Sequence, residues 1–468
     1  MSELPKGWVD SRLEESIYLN QKFTNIDDDS ECGFVPMAMV PTKYGAPIEF
    51  EMRTWGKCKK GYTQFQNDDI LLAKITPCFE NGKGALVSGL PNGIGAGSTE
   101  YFVLRSVSNL VEPKYLHAFV KTRDFLINCE TNMSGSVGHR RVPKDYLLNY
   151  SMPLAPLAEQ KRIVEKLDEV LVQVDTIKAR LDGIPDLLKR FRQSVLASAV
   201  SGKLTEEWRE GNGEQDVWDA NFDVKLLTEH VEPYVLPESW SWDNLGNLVA
   251  VLNSKRKPIK QADRNKRQGE YPYYGAFGII DHIDDYVFDG EYILLAEDGK
   301  NLEQRSRPIA LVANGKYWVN NHAHVLEVKP QIDIKYLCYF LNSPHLVIDE
   351  FLTGQDQVKL NKVAMVKLPI PVPSYTEQKE IVRLVDQYFA FADTIEAQVK
   401  KAQARVDNLT QSILAKAFRG ELVAQDPKDE PADKLLERIA EARKEAEALA
   451  KAAKKAEATK KRAAKKST

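Results

Sequence analysis

One long helix is written twice in this chain, and that repeat constrains the fold more than any other feature. Residues 157–200 return near the C-terminus: Glu159-Gln160-Lys161 recurs as Glu377-Gln378-Lys379, Asp175-Thr176-Ile177 as Asp393-Thr394-Ile395, and Gln193-Ser194 as Gln411-Ser412. The offset is 218 residues each time, so nothing is inserted or lost across either copy. In the first copy Ile163, Leu167, Val170, Val174, Ile177 and Leu181 alternate at spacings of four and three, continuing through Ile184, Leu188, Phe191 and Val195. Ile381, Val385, Tyr388, Ala392, Ile395, Val399, Ala402, Val406 and Leu409 repeat the pattern in the second. Only a period of 3.5 residues keeps one stripe facing a partner over such a length, so each copy predicts a coiled-coil seam, with the other copy as its partner. Gly183 and Pro185 predict a kink or break in the first copy, because proline removes a backbone donor and clashes with the preceding turn.

What the helices carry has diverged. Residues 1–152 read as an α+β domain of short apolar runs, 33–40, 68–75, 84–90 and 99–105, followed by a helical stretch over 113–129. Glycine-dense loops follow two of these runs, and Gly93-Ile94-Gly95-Ala96-Gly97 predicts a turn, since it lacks the glycine spacing and the following helix of a phosphate cradle. Residues 153–202 form the first conserved helix, 203–235 a linker, 236–373 a second domain, 374–420 the second helix and 421–468 a helical basic tail with a frayed end. The second domain opens on Leu236-Pro237-Glu238-Ser239-Trp240, an echo of Leu4-Pro5-Lys6-Gly7-Trp8, and keeps the element order of the first while changing its residues. The fold class is therefore α+β: two domains carried on two long antiparallel coiled-coil helices, with a pseudo-two-fold internal repeat.

Length and composition, 468 residues with 43% hydrophobic and 28% charged, suit an ordinary globular protein that buries its core without staples. Five dispersed cysteines with no C-x-x-C pair read as reduced thiols, and neither a signal peptide nor a membrane span is visible, so a cytoplasmic location is expected. The net charge of −3 argues against nucleic acid by the simplest rule, but the run from Asn253 to Arg267 holds seven basic residues against one Asp.

Catalytic and metal signatures are missing. There is no phosphate loop, no H-E-x-x-H, no nucleophile elbow, no zinc spacing and no Pro-Pro dipeptide of the kind amino-methyltransferases use to hold a flipped base. Glu297, Asp298 and Lys300 are too ordinary a set to predict nuclease chemistry, and the histidines lack the carboxylate or cysteine company of metal ligands. The chain is expected to be non-catalytic, with no cofactor or metal of its own.

Binding chemistry remains. Lysine fixes register on phosphates, whereas amides and guanidinium groups read base edges through paired donors and acceptors. Candidate DNA contacts in the first domain are Lys57, Lys59, Lys60, Tyr62, Lys74, Asn81, Lys83, Ser134, Ser136, His139 and Arg140. In the second they are Lys255, Arg256, Lys257, Tyr273, Tyr274, Arg305, Asn320, Asn321, His322, Gln355, Gln357 and Lys359.

At the repeated EQK, DTI and QS segments the sequence resembles the specificity subunits of type I restriction-modification systems, and 405–422 resembles the enterobacterial K-type group. Residues 74–84, 97–105, 272–279 and 318–326 are similar to segments of that family's target-recognition domains. The resemblance implies a DNA-reading subunit that binds double-stranded DNA and docks two modification subunits, which hold S-adenosylmethionine, and two ATP- and Mg-dependent restriction subunits. It also implies a bipartite, asymmetric target whose unread spacer the helices set. A helix of about 40 residues spans roughly 60 Å, more than the ~34 Å of one duplex turn. The rival expectation is a coiled-coil adaptor that binds proteins and never touches DNA.

Overall fold

The computed structural model describes residues 4–23, 25–212, 216–220, 235–354 and 358–464. The chain divides into two compact units, residues 1–180 with 402–468 and residues 181–401, so each unit takes a stretch of both long helices.

Among the described residues, unit one contains ten strands: β1 (Val9–Arg12), β2 (Ile17–Leu19), β3 (Glu31–Val35), β4 (Glu51–Thr54), β5 (Thr63–Gln66), β6 (Ile70–Ala73), β7 (Gly84–Leu86), β8 (Ile94–Gly97), β9 (Tyr101–Ser106) and β10 (Ser151–Leu154). Helix α1 (Pro113–Val120) precedes the first long helix, α2 (Leu157–Val200). Unit two repeats the set as β11 (Ser241–Asn244), β12 (Val249–Val251), β13 (Tyr271–Gly275), β14 (Gly278–Ile283), β15 (Phe288–Asp289), β16 (Tyr292–Ala296), β17 (Ala310–Ala313), β18 (Lys316–Val319), β19 (Ala323–Val328) and β20 (Pro369–Val372). Helix α3 (Ile334–Asn342) and the second long helix, α4 (Tyr375–Phe418), complete the repeat, and α5 (Ala432–Ala464) follows.

Topology is the same in both. The sheets run β2-β9-β6-β7 and β4-β3-β8-β5 in unit one, β12-β19-β16-β17 and β14-β13-β18-β15 in unit two, with β1-β10 and β11-β20 as matching two-stranded ribbons. The central strands explain their unbroken apolar runs. Ile70 and Leu72 face one core while Leu71 faces another, just as Ile293 and Leu295 are separated from Leu294, so both faces are buried and no polar alternation is possible. The expected turn at 93–97 is mostly strand β8. A Cβ on Gly95 would come within 2.4 Å of Phe65 Cε2, and one on Gly97 within 2.3 Å of Val35 O, so close packing rather than turning selects these glycines.

In unit one Ile163, Val164 and Leu167 of α2 share a core with Leu414, Ala417 and Phe418 of α4, while further along Lys178 pairs with Asp407. In unit two Val195, Leu196 and Val200 meet Ile381 and Val385, and Arg192 reaches Asp393 at 2.6 Å and Glu396 at 3.2 Å. The helices are therefore antiparallel within each unit. Of the expected seam, Ile163, Leu167, Val174, Ile381, Val385, Val399 and Val406 are buried, and Val170, Leu181 and Ile395 are half-buried. Ile177 and Leu409 stay 45% and 37% exposed, because two helices leave the flanks of their shared stripe to water. Helix α2 runs through Pro185 without a break. A mid-helix proline costs about 3 kcal/mol, and the burial of Leu188, Val195 and Leu196 just beyond it offsets that.

The repeated Glu-Gln is the joint between helix and domain. Trp8 Nε1 donates to Glu159 Oε2 at 3.0 Å, and Trp240 Nε1 to Glu377 Oε2 at 2.9 Å. Gln160 accepts from Glu112 N and donates to Ala155 O, and Gln378 accepts from Asp333 N and donates to Pro373 O. Tyr115 and Tyr336 donate to Pro153 O and Pro371 O, each at 2.7 Å. All four helix side chains are almost wholly buried, which is why the pair recurs without change.

Two segments carry more structure than a linker and a frayed tail. Lys203–Thr205 forms a tight turn and Glu206–Asn212 a helix whose Arg209 pairs with Glu377 at 2.5 Å. Helix α5 buries Ala432, Leu435 and Ile439 in the core of unit one, and its Arg443 guanidinium donates to the carbonyls of Glu14 and Ile17.

Candidate nucleic-acid interface

The ends of the central strands make one frame in both units. In unit one Lys74 N donates to Glu100 O at 3.0 Å and Val142 N to Lys74 O at 2.9 Å. In unit two Glu297 N donates to His322 O at 2.9 Å and Leu360 N to Glu297 O at 2.8 Å. Positions 74, 100 and 142 thus correspond to 297, 322 and 360. Against each frame stands a closed loop. Ser134 and Arg141 exchange both backbone bonds across 134–141, and Thr353 and Lys359 do so across 353–359. Gly135 (φ 124) and Gly354 (φ 91) take the left-handed turn after the first loop residue, and Val137 projects 97% exposed.

The side chains on this common frame differ in chemistry and sign. In unit one Lys74 Nζ donates to Thr99 O at 2.8 Å, and Arg141 grips Glu100 through two bonds of 3.0 and 2.8 Å. That guanidinium holds the Glu100 carboxyl below the usual carboxylate range, with Lys74 helping. Arg140 leans on Glu130 O at 3.3 Å and Glu80 at 3.5 Å. In unit two the position of Lys74 is held by Glu297, bonded to Arg256 at 2.6 Å, and the position of Glu100 by His322, whose Nδ1 lies 2.8 Å from Asp298. Buried His324 donates from Nε2 to Leu360 O at 2.7 Å and accepts from Asn253 at Nδ1, a neutral ring whose pKa burial depresses. Glu297 and Asp298, in which the sequence predicts no nuclease chemistry, are thus held by Arg256 and His322, and no cluster able to hold a metal occurs among the described residues.

The remaining expected contacts fall into three groups. Lys57, Lys60, Asn81, Ser136, His139, Lys255, Lys257 and Asn321 are exposed, as is Tyr62, whose ring meets Phe34 edge-on at 4.9 Å. Others are committed within the fold. Lys59 pairs with Asp28, Lys83 donates to Met37 O at 2.8 Å, Arg256 is nearly buried, and Asn320 accepts from His322 N at 2.8 Å. Tyr273 is fully buried with its hydroxyl accepting from Ile259 N, Tyr274 meets Tyr317 edge-on, and Arg305 donates to Ser343 O at 3.1 Å, on the wall of a cavity. Gln355 and Gln357 lie outside the described residues; Lys359 is exposed at the loop's end. Sequence reasoning missed Glu100 and Arg141 as a pair. The available signal was position for Glu100, which immediately precedes apolar β9; Arg141 closes a loop and has no such strand beside it.

The profile of the type I restriction modification DNA specificity domain matches residues 5–186 and 237–403. The chain belongs to this family. The specificity domain is thus present twice, each match covering one set of ten strands and the start of its long helix. Among curated relatives, the Escherichia coli type I restriction enzyme EcoBI specificity subunit is 36% identical over 351 residues, 68% of this chain and 69% of that protein. The EcoDI specificity subunit, also from Escherichia coli, is 34% identical over 64% of this chain and 71% of that protein. The EcoAI specificity subunit is 40% identical, but the alignment spans about half of each, 54% and 52%. The fold is shared with the HsdS subunit from Thermoanaerobacter tengcongensis, at a TM-score of 0.58 and 20% identity over 90% of this chain and 98% of that one. A chain from a structure described as the basis of complex assembly and conformational transition of the type I R-M system gives a TM-score of 0.63 at 19% identity, covering 90% and 100%.

Proposed function

We propose that the chain is the non-catalytic specificity subunit of a type I restriction-modification complex, and that each unit reads one half of a bipartite, asymmetric DNA target through its strand-end frame and adjoining loop. The observation that carries this reading is the pairing of one backbone frame with two unlike polar sets, Lys74-Glu100-Arg141 and Glu297-Asp298-His322. Reading different bases from one geometry requires that kind of change, because base edges differ in their pattern of donors, acceptors and the thymine methyl group. The exposed lysines supply sequence-independent phosphate contact. The long helices act as the ruler that sets the unread spacer and as the frame on which two modification subunits, carrying S-adenosylmethionine, and two ATP-driven, Mg-dependent restriction subunits assemble in the cytoplasm.

The test is co-expression with the modification partner and genome-wide mapping of methylated adenine. A single two-part motif with unlike halves is expected. Methylation without a sequence-specific two-part motif overturns the proposal and favours the protein adaptor.

A further inference from the structure

The loop that stands against the frame of unit one carries an apolar side chain that no described residue covers. Val137 is 97% exposed, the highest value for any large hydrophobic residue among those described. Loop tips favour Gly, Ser, Asn and Asp, which supply turn geometry and meet water without loss. In Ser134-Gly135-Ser136-Val137-Gly138 the valine is therefore the exception.

The loop holds this side chain in a fixed place. Its base is the backbone exchange between Ser134 and Arg141, at 2.9 and 2.8 Å. One residue further in, Thr76 N donates to Arg140 O at 3.0 Å and Arg140 N to Thr76 Oγ1 at 3.2 Å, so the loop is bonded to the segment that continues from Lys74. At the tip His139 N donates to Ser136 O at 2.9 Å, which puts Val137 and Gly138 at the corners of a tight turn. Gly138 supplies the left-handed backbone there, with φ 81. A Cβ on Gly135 would come within 2.9 Å of His139 O, so the two arms of the loop lie against each other.

A narrow two-armed loop is a shape that the major groove of DNA admits. Exposed Ser134, Ser136 and His139 surround the valine with groups that hydrogen-bond to backbone or base edges. The valine itself can neither donate nor accept. On a base edge it has one good partner, the C5 methyl group of thymine, which lies in that groove.

We propose that Val137 packs on the 5-methyl group of a thymine in the half-site read by unit one, a specificity-determining contact made beside the polar set Lys74-Glu100-Arg141. The inference rests on the DNA-reading proposal above. The corresponding stretch of unit two, Gln355-Asp356-Gln357, holds no apolar residue, so the contact belongs to one half-site only.

The test uses the full-length chain in complex with its modification partner and the mapped target duplex, each thymine of either strand being replaced in turn by deoxyuridine, which lacks only that methyl group. One replacement, in one half-site, is expected to weaken binding about fourfold, the worth of one buried methyl group. Val137→Ser, at a position too exposed to disturb folding, should weaken binding to the thymine duplex about fourfold to tenfold and bind its uracil form equally well. A merely structural role would weaken both duplexes together and keep their ratio. Uracil bound as tightly as thymine at every position, or a uracil effect that persists in Val137→Ser, overturns the contact while the two-part motif stands. So does loss of the modification subunit in Val137→Ser with discrimination at the base intact. If no duplex is bound sequence-specifically, the reading proposal and this one fall together.

Discussion

Glu377 accepts from Trp240 Nε1 at 2.9 Å while its other oxygen takes Arg209 at 2.5 Å and Thr205 at 2.7 Å. Its counterpart Glu159 accepts from Trp8, but its second oxygen is buried without a partner among the described residues. Removing one member of a buried ion pair costs roughly 3–5 kcal/mol, because it strands the other charge, whereas losing a single buried hydrogen bond costs roughly 1–3 kcal/mol. Glu377→Ala should therefore destabilise unit two by about 2 kcal/mol more than Glu159→Ala destabilises unit one. Hydrogen exchange resolved by unit checks this; equal losses would contradict it.

Burial raises the Glu159 carboxyl, whose neutral form the folded state favours. The folded state then holds this proton to higher pH than the unfolded chain, so stability falls as pH rises above the ordinary carboxylate range. Glu159→Gln should flatten that slope at little cost in stability.

His117 gives the opposite slope. Burial, with Lys121 nearby, pushes its pKa from 6.5 to about 3, its ring lying under Tyr44 with one nitrogen facing the Gly84 backbone. Below 6.5 the unfolded chain takes up a proton that the folded state refuses, so stability present above 6.5 is lost as pH falls towards 3. Urea titrations should show up to about 1.4 kcal/mol lost per pH unit from this group, and His117→Gln should remove that dependence from unit one.

Arg141→Gln frees Glu100 and alters one reading set. On the DNA-reading proposal it should weaken binding about tenfold to a hundredfold and relax preference in one half-site only. Lys57→Ala should weaken binding to all sequences equally and lower the salt slope by about one. Binding assays on targets varied one half at a time, across a salt series, separate the two effects.

Deleting residues 432–468 removes Leu435 and Ile439 from the core of unit one and the Arg443 guanidinium from the Glu14 and Ile17 carbonyls. Burying each leucine or isoleucine is worth roughly 1.5–3 kcal/mol, so unit one should melt several degrees lower while unit two is unchanged. A tail that merely frays would leave both melting temperatures alone.

Inserting four residues near Val172 should change the length of the unread spacer and leave both half-sites as they were, if the helices are the ruler. Methylome mapping reads both; altered half-sites at unchanged spacing would count against it.

Periodicity made the helices legible, because a heptad is a local property of the chain: the seam through Ile163, Leu167, Ile381 and Val385 could be read from spacing alone. The apolar runs placed β6, β9, β16 and β19, since strands buried on both faces cannot hide their composition. The equivalence of the two domains followed from element order. Tertiary structure alone decided the rest. Glu159 and Glu377 are legible in the sequence as members of a repeat, but only the fold closes Trp8 and Trp240 on them across 151 and 137 residues. Arg256 and Tyr273 read as free binding groups until the fold commits one to Glu297 and buries the other. The proposed reading set comes from residues far apart in sequence that the fold brings together, as Arg141 and Glu100 show. Spacing along the chain records what a segment can do by itself; which polar group is satisfied, and which is left facing a ligand, depends on partners that only the folded chain supplies.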